Sequence, residues 1–224
     1  MNDDVNWSRV RVSGEDAESY LQGQLTQDLA LTPNYSFLLN PDGTVIASLW
    51  IEKDADGYDL VVSRAFLEAV LARLNRFKLR SRLSITDLGE SSGPFQSCEE
   101  QINLGVPLEK ECASPLSPHS FGREFLQSAV SFSKGCYTGQ ELVGRLESRG
   151  GNTPWRMVRF RTTAVDELQA SILNCGPEGP QGITTLWVSA SCSMGLAIIH
   201  RTYEVPLEMR SQTEIIEADG VPIR

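Results

Sequence analysis

The sequence predicts an α+β fold ending in a small β unit. Three observations lead there. Hydrophobic residues make up 41% and charged residues 22% of 224 residues, the balance of a folded globular chain rather than a disordered one. Up to Ile85, runs that alternate with period two are interleaved with segments whose apolar residues recur every three or four positions. Beyond the Gly150-Gly151 pair the pattern shifts to short β-like runs separated by Gly- and Pro-rich loops. The predicted organisation is therefore an α+β region over 1–150 and a small β unit over 151–224.

The elements follow in order. Trp7 to Val12 alternates as a strand, and Ser13 with Asp16 three residues on offers an N-cap for a helix through Tyr20 and Leu21 that Gly23 can close. Phe37 to Leu39, Val45 to Ile51 and Tyr58 to Val62 are apolar runs separated by the turns Asn40-Pro41-Asp42-Gly43 and Asp54-Ala55-Asp56-Gly57, which reads as an antiparallel meander. Phe66, Val70, Leu74 and Phe77 then form the stripe of an amphipathic helix, and Arg82 to Ile85 returns as a strand. Gly89 to Gln101 and Cys112 to Phe121 are rich in Ser, Pro and Gly and read as loops around an ordered segment at Ile102 to Val106. Met157 to Arg161, Ile183 to Val188 and Gly195 to Ile199 are the strands of the C-terminal unit.

Charge and cysteine usage narrow the function classes. A formal charge of −9 repels phosphate backbones and anionic membrane surfaces, so neither direct nucleic-acid binding nor membrane binding is expected. Five widely spaced cysteines without a C-x-x-C support neither a disulfide framework nor a metal site. The acidic opening Met1-Asn2-Asp3-Asp4 lacks an apolar leader, and a reducing, cytoplasmic location is expected. The cations are nevertheless clustered. Arg73 to Arg82 holds five and Lys134 to Arg161 holds six, which would form an anion site if the windows met, or a solvated helix face if they did not.

The most unusual stretch is Ser133-Lys134-Gly135-Cys136-Tyr137-Thr138-Gly139-Gln140-Glu141. Thr138 and Glu141 have capping-box spacing, followed by Leu142, Val143 and Leu146 at helical intervals, so a helix is predicted from about Gly139. Cys136 then precedes a helix N-terminus and lies two residues from Lys134, both of which favour a reactive thiol. Gly135 and Gly139 would allow positive φ or close approach of a ligand. The same residues also admit a purely structural account, with Cys136 a buried hydrophobe, Glu141 a cap, the glycines a turn and Lys134 a surface charge. Asp54 to Asp59 is a hairpin turn and not a calcium loop, because its glycine comes at position four and no glutamate sits at twelve. Neither a P-loop, a dinucleotide-binding Gly motif, a zincin motif nor a serine-hydrolase elbow occurs.

The run K-G-C-Y-T-G-Q-E at 134–141, with Arg145 and Arg149-Gly150 after it, resembles the signature of the YgfZ family, the folate-binding relatives of the glycine-cleavage T-protein. The resemblance extends through Leu21-Gln22-Gly23-Gln24-Leu25-Thr26-Gln27-Asp28, Asn40 to Gly43, Arg76 to Arg80, Leu104 to Pro107, Gly182 to Thr184 and Gly195 to Ala197. It implies a T-protein-like folate-binding fold with a small C-terminal β-barrel-like unit and tetrahydrofolate, or a one-carbon derivative, in a central hole. It also implies support of iron-sulfur client enzymes, met transiently, including those that thiolate tRNA. Carried over, Cys136 is the working thiol, and Lys134, Gly135, Tyr137, Gly139, Gln140, Glu141, Arg145 and Asn103 are the folate-binding positions. This chain departs from the aminomethyltransferases at Ala47 and Ser48, where they carry an aspartate pair, and at Asn103, where they carry a glutamate two residues before Gly105. The alternative function, a folate-dependent aminomethyl transferase, needs a general base that Ala47 and Ser48 do not supply.

Overall fold

A computed structural model describes residues 5–32 and 34–217, so the acidic opening lies outside the described residues. Strands β1 (Trp7–Ser13), β2 (Asn34–Leu39), β3 (Val45–Asp54), β4 (Gly57–Ser63) and β5 (Ser84–Ser91) form an antiparallel sheet in the order β2-β3-β4-β1-β5. The meander β2-β3-β4 is the one its turns predict. β1 then inserts beside β4, with Trp7 opposite Ser63 and Ser13 opposite Gly57.

Helix α1 (Ala17–Gln24) buries Ala17, Tyr20 and Leu21, and α2 (Leu67–Lys78) buries Val70 and Leu74. The Tyr20 hydroxyl donates to the Leu74 carbonyl at 2.5 Å and locks the two helices together. Helix α1 begins without the predicted Ser13 cap. Ser13 ends β1 with its hydroxyl against that of Ser84, while the Asp16 carboxylate accepts from the backbone N–H of Arg82. Gly23 lies inside the helix, which stops where Leu25 turns extended.

Two predicted loops are largely ordered. β5 runs on to Ser91, and α3 (Cys98–Leu104) is opened by a capping box between Ser97 and Glu100 and closed by Gly105 in the left-handed conformation. The other stretch ends in a 3-10 turn, Pro118–Phe121, and leads into α4 (Arg123–Ala129), whose Phe125 packs on Phe37 of β2. After α5 (Gln140–Ser148) come β6 (Trp155–Thr162), α6 (Val165–Leu173), β7 (Gly182–Val188), β8 (Ser193–His200) and β9 (Thr213–Glu217). Of these, α4, α6 and β9 were not predicted.

The last four strands form an antiparallel sheet in the order β7-β8-β6-β9, with no pairing between β7 and β9 among the described residues. Of its two inner strands, β8 is apolar from Met194 to Ile199, where both faces are covered. Met194, Leu196 and Ile198 join the core of the five-stranded sheet, while Ala197 and Ile199 meet Leu168 and Ile172 of α6 in a second core. Each such fully buried leucine or isoleucine contributes about 1.5–3 kcal/mol.

Candidate functional site

The signature segment is the connection from α4 to α5, and it is stitched onto the end of α1. A helix end leaves carbonyls without intrahelical partners, and here the α4–α5 connection supplies donors to one of them, Gly23, and to the chain that follows α1. Lys134 Nζ donates to the carbonyls of Leu25 at 2.8 Å and Gln27 at 2.9 Å, and lies 3.4 Å from Oε1 of Gln22. Ser131 N–H donates to the Thr26 carbonyl and Thr138 N–H to the Gly23 carbonyl. The two motifs that are far apart in sequence, 21–28 and 134–141, thus form one unit. Lys134 is buried, which brings its pKa down to about 8 against the opposing pull of Asp28. Tyr137 is buried beside it, its ring centre 5.4 Å from Nζ and its hydroxyl pKa pushed up to about 12 by burial.

The other side of the segment rests on the β2–β3 turn. Gly139 has φ +84°, and a Cβ there would come within 2.8 Å of the Asn40 carbonyl oxygen and 3.1 Å of the Gly43 Cα. Two backbones touch where any side chain would part them. This changes the predicted start of α5. Gly139 itself occupies the N-cap in a left-handed conformation, so Thr138 stands one residue too early and the Thr138–Glu141 capping box does not form. Glu141 instead accepts from Arg145 at 2.6 Å on the exposed face of α5. Gly135 has no such constraint, since a Cβ there would meet nothing within 4 Å.

Between the anchored Lys134 and Tyr137, Cys136 is carried into solvent. It is exposed, whereas Cys98 and Cys112 are buried and Cys175 and Cys192 are partly buried. The ammonium of Lys134 is directed at the main-chain carbonyls of Leu25 and Gln27, just beyond α1, and not at the thiol, so its part in the segment is to hold the loop.

No family model matches the chain. It is 27% identical to an uncharacterized protein of Haemophilus influenzae, over 66% of this chain and 69% of that one. It is 23% identical to the tRNA-modifying protein YgfZ of Enterobacter sp. strain 638, over 66% and 67%, and 24% identical to that of Serratia proteamaculans, over 66% and 66%. The solved structure of the glycine cleavage system aminomethyltransferase T from Bartonella henselae superposes with a TM-score of 0.58, covering 98% of this chain and 82% of that one at 14% identity. The chain is therefore similar in sequence to the YgfZ proteins and has a T-protein-like fold.

The remaining positions singled out on the YgfZ pattern are dispersed. Asn103 is exposed near the end of α3, where its carbonyl accepts from Arg159 of β6 at 2.9 Å, and the depression beside Leu104, Gly105 and Arg159 has a volume of only about 20 Å³. Gln140 is half-buried at the first turn of α5. Arg145 lines a groove of about 360 Å³ with Asp42, Ser117, Leu142, Leu146 and Arg149. At the position of the aspartate pair, Ala47 is fully buried in β3 and the buried Ser48 hydroxyl donates to the Pro107 carbonyl.

One cation from each basic window is committed to the same stretch of chain around the end of α1. Arg73 is buried, stacks on Phe77 at 3.7 Å and donates to Oε1 of Gln24 at 2.9 Å. It therefore grips the same 22–27 segment that Lys134 holds. Sequence reasoning also missed Glu111, whose carboxylate is buried and accepts from Leu108 N–H, Gln101 Nε2 and Thr185 Oγ1, tying α3 to β7 beside a cavity of about 200 Å³. Nothing in its sequence neighbourhood marks it, because Thr185 lies 74 residues away. Among the described residues no group of three or more His, Cys, Asp or Glu side chains is placed to hold a metal ion, and no helix is long and apolar enough to cross a membrane.

Proposed function

We propose that the chain is a tetrahydrofolate-binding auxiliary protein of the cytoplasm that supports the assembly or repair of iron-sulfur enzymes, including those that thiolate tRNA, through the thiol of Cys136. The observation that carries this is the placement of Cys136. It is the exposed thiol of the five, presented by a loop whose two flanks are fixed by Lys134 and Tyr137. A loop that served only to connect α4 and α5 would not need a buried ammonium and the close backbone contact of Gly139 to hold it. The name of the relatives, tRNA-modifying protein, supports the same assignment.

The fit to folate rests on exposed polar groups. Of the proposed folate-binding residues, Asn103, Glu141 and Arg145 present theirs to solvent, whereas Lys134, Tyr137 and Gly139 build the loop and bind folate only through the shape they maintain. A reduced folate, when bound, supplies a nitrogen nucleophile that takes up one-carbon units. The proposed organisation keeps the folate region at 1–150 and the small β unit at 151–224. Aminomethyl transfer is disfavoured because Ala47 and Ser48 provide no carboxylate, and Ser48 is already committed to Pro107.

The test pairs two measurements on the full chain. Titration calorimetry with tetrahydrofolate should give saturable heat that weakens with added salt, and absence of heat at millimolar folate removes the ligand. Capture of partners from cells expressing the wild type or Cys136→Ser should recover iron-sulfur enzymes with the former and lose them with the latter. Equal recovery removes the role of the thiol.

A further inference from the structure

Ser117 stands at the N-cap of the 3-10 turn Pro118–Phe121, where a serine hydroxyl ordinarily accepts from the turn's own N–H groups, yet it makes no capping bond. Its Oγ lies 3.2 Å from Nδ1 of His119, and Nε2 of the same ring lies 3.0 Å from Oε2 of Glu147 on α5. A carboxylate oxygen only accepts, so the ring hydrogen sits on Nε2 and the lone pair of Nδ1 faces the serine. Ser117 must then donate. The His119 side chain is 2% exposed, and burial lowers its pKa, which keeps the ring neutral with the Nδ1 lone pair free to accept a proton. Hydroxyl, imidazole and carboxylate in this order are the parts of an activated nucleophile, recognised by geometry and not by position in the chain.

The hydroxyl also has somewhere to work. Ser117 lines the groove of about 360 Å³ on α5, within the size range of small-molecule sites. Leu142 and Leu146 give that groove an apolar strip, and Arg149 together with Arg145, which also pairs with Glu141, set two guanidinium groups along it against the single carboxylate of Asp42. Such a lining suits a small molecule with an apolar body and an anionic end.

We propose that Ser117 is the nucleophile of a second site, separate from Cys136, which hydrolyses small esters that carry an anionic group. Ser117 Oγ attacks the acyl carbon while its proton passes to Nδ1 of His119. The bond to the leaving oxygen then breaks as that oxygen takes the proton from the imidazolium. Water adds to the acyl-serine by the same route, releasing the carboxylic acid and restoring the hydroxyl. Glu147 is a positioning residue that fixes the tautomer, and Arg145 and Arg149 bind the anionic end.

The test uses the intact chain. A fluorophosphonate probe followed by peptide mass mapping should place a covalent adduct on Ser117, and 4-nitrophenyl hemisuccinate should be hydrolysed faster than 4-nitrophenyl acetate. Ser117→Ala should lower hydrolysis by about 100-fold or more, and His119→Gln should abolish labelling. Arg149→Gln should raise KM for the hemisuccinate by a larger factor than for the acetate. Wild-type protein that carries no adduct on Ser117 at probe concentrations that saturate a known serine hydrolase overturns the proposal whatever the variants do. So does hydrolysis undiminished in Ser117→Ala.

Discussion

Lys134 donates its ammonium to the carbonyl of Leu25 at 2.8 Å, across 109 residues of sequence, and so ties the thiol-bearing loop to the end of the first helix. Charge-assisted hydrogen bonds to buried acceptors are the stronger kind, and removing the donor strands the acceptors. Lys134→Met should therefore cost about 2–4 kcal/mol in urea unfolding at pH 7. A loss within experimental error would show that the loop is held by other contacts.

The same lysine gives a pH signature. Burial brings its pKa to about 8, against 10.5 for the unexceptional side chain, so between these values the unfolded chain binds more protons than the folded one. Stability contributed by this group then rises as pH increases from 8 to 10.5. The difference in unfolding free energy between wild type and Lys134→Met should widen over that window. A difference that is flat or narrows would contradict the burial of a charged ammonium.

His119 titrates in the acid range by the same logic. Burial lowers its pKa below 6.5, partly offset by Glu147 on Nε2, while Ser117 and the Phe132 ring are its other neighbours. Below pH 6.5 the unfolded chain takes up a proton that the folded chain resists, so acidification through this range destabilises the protein. His119→Gln should lose less stability than wild type between pH 7.5 and 5. Parallel losses in the two proteins would place the histidine in solvent.

The glycines of the signature separate by substitution. Gly139→Ala meets both a left-handed backbone and the Asn40 carbonyl, and should cost roughly 2 kcal/mol or more. Gly135→Ala projects into open space and should stay within about 0.5 kcal/mol of wild type. Thermal melting of the two variants decides it, and equal melting points would refute the contact between the loop and the β2–β3 turn.

Local signals made part of this legible. The turns at Asn40 to Gly43 and Asp54 to Gly57 and the stripe through Val70 and Leu74 place β2, β3, β4 and α2 close to where they are found. Short elements escaped because they carry weak signals. α4 has seven residues after Gly122 with no side-chain cap, and α6 opens at Ala164, also without one. α3 escaped although its Ser97 and Glu100 box was present, since its Ser- and Gly-rich approach reads as loop. At the site, the sequence singles out Cys136 and its neighbours. It could not show that Lys134 is buried, because the acceptors that justify its burial are main-chain carbonyls more than 100 residues away.

On the proposed function, Cys136 reacts and does not pack. The most direct measurement places Cys136→Ser beside wild type in a deletion strain and reads tRNA thiolation, with the melting temperature of each purified protein measured in parallel. An exposed thiol on an anchored loop predicts lost rescue with a melting point within about 2 °C of wild type. Full rescue accompanied by a melting point several degrees lower would mean that this sulfur fills a core, and would contradict the account.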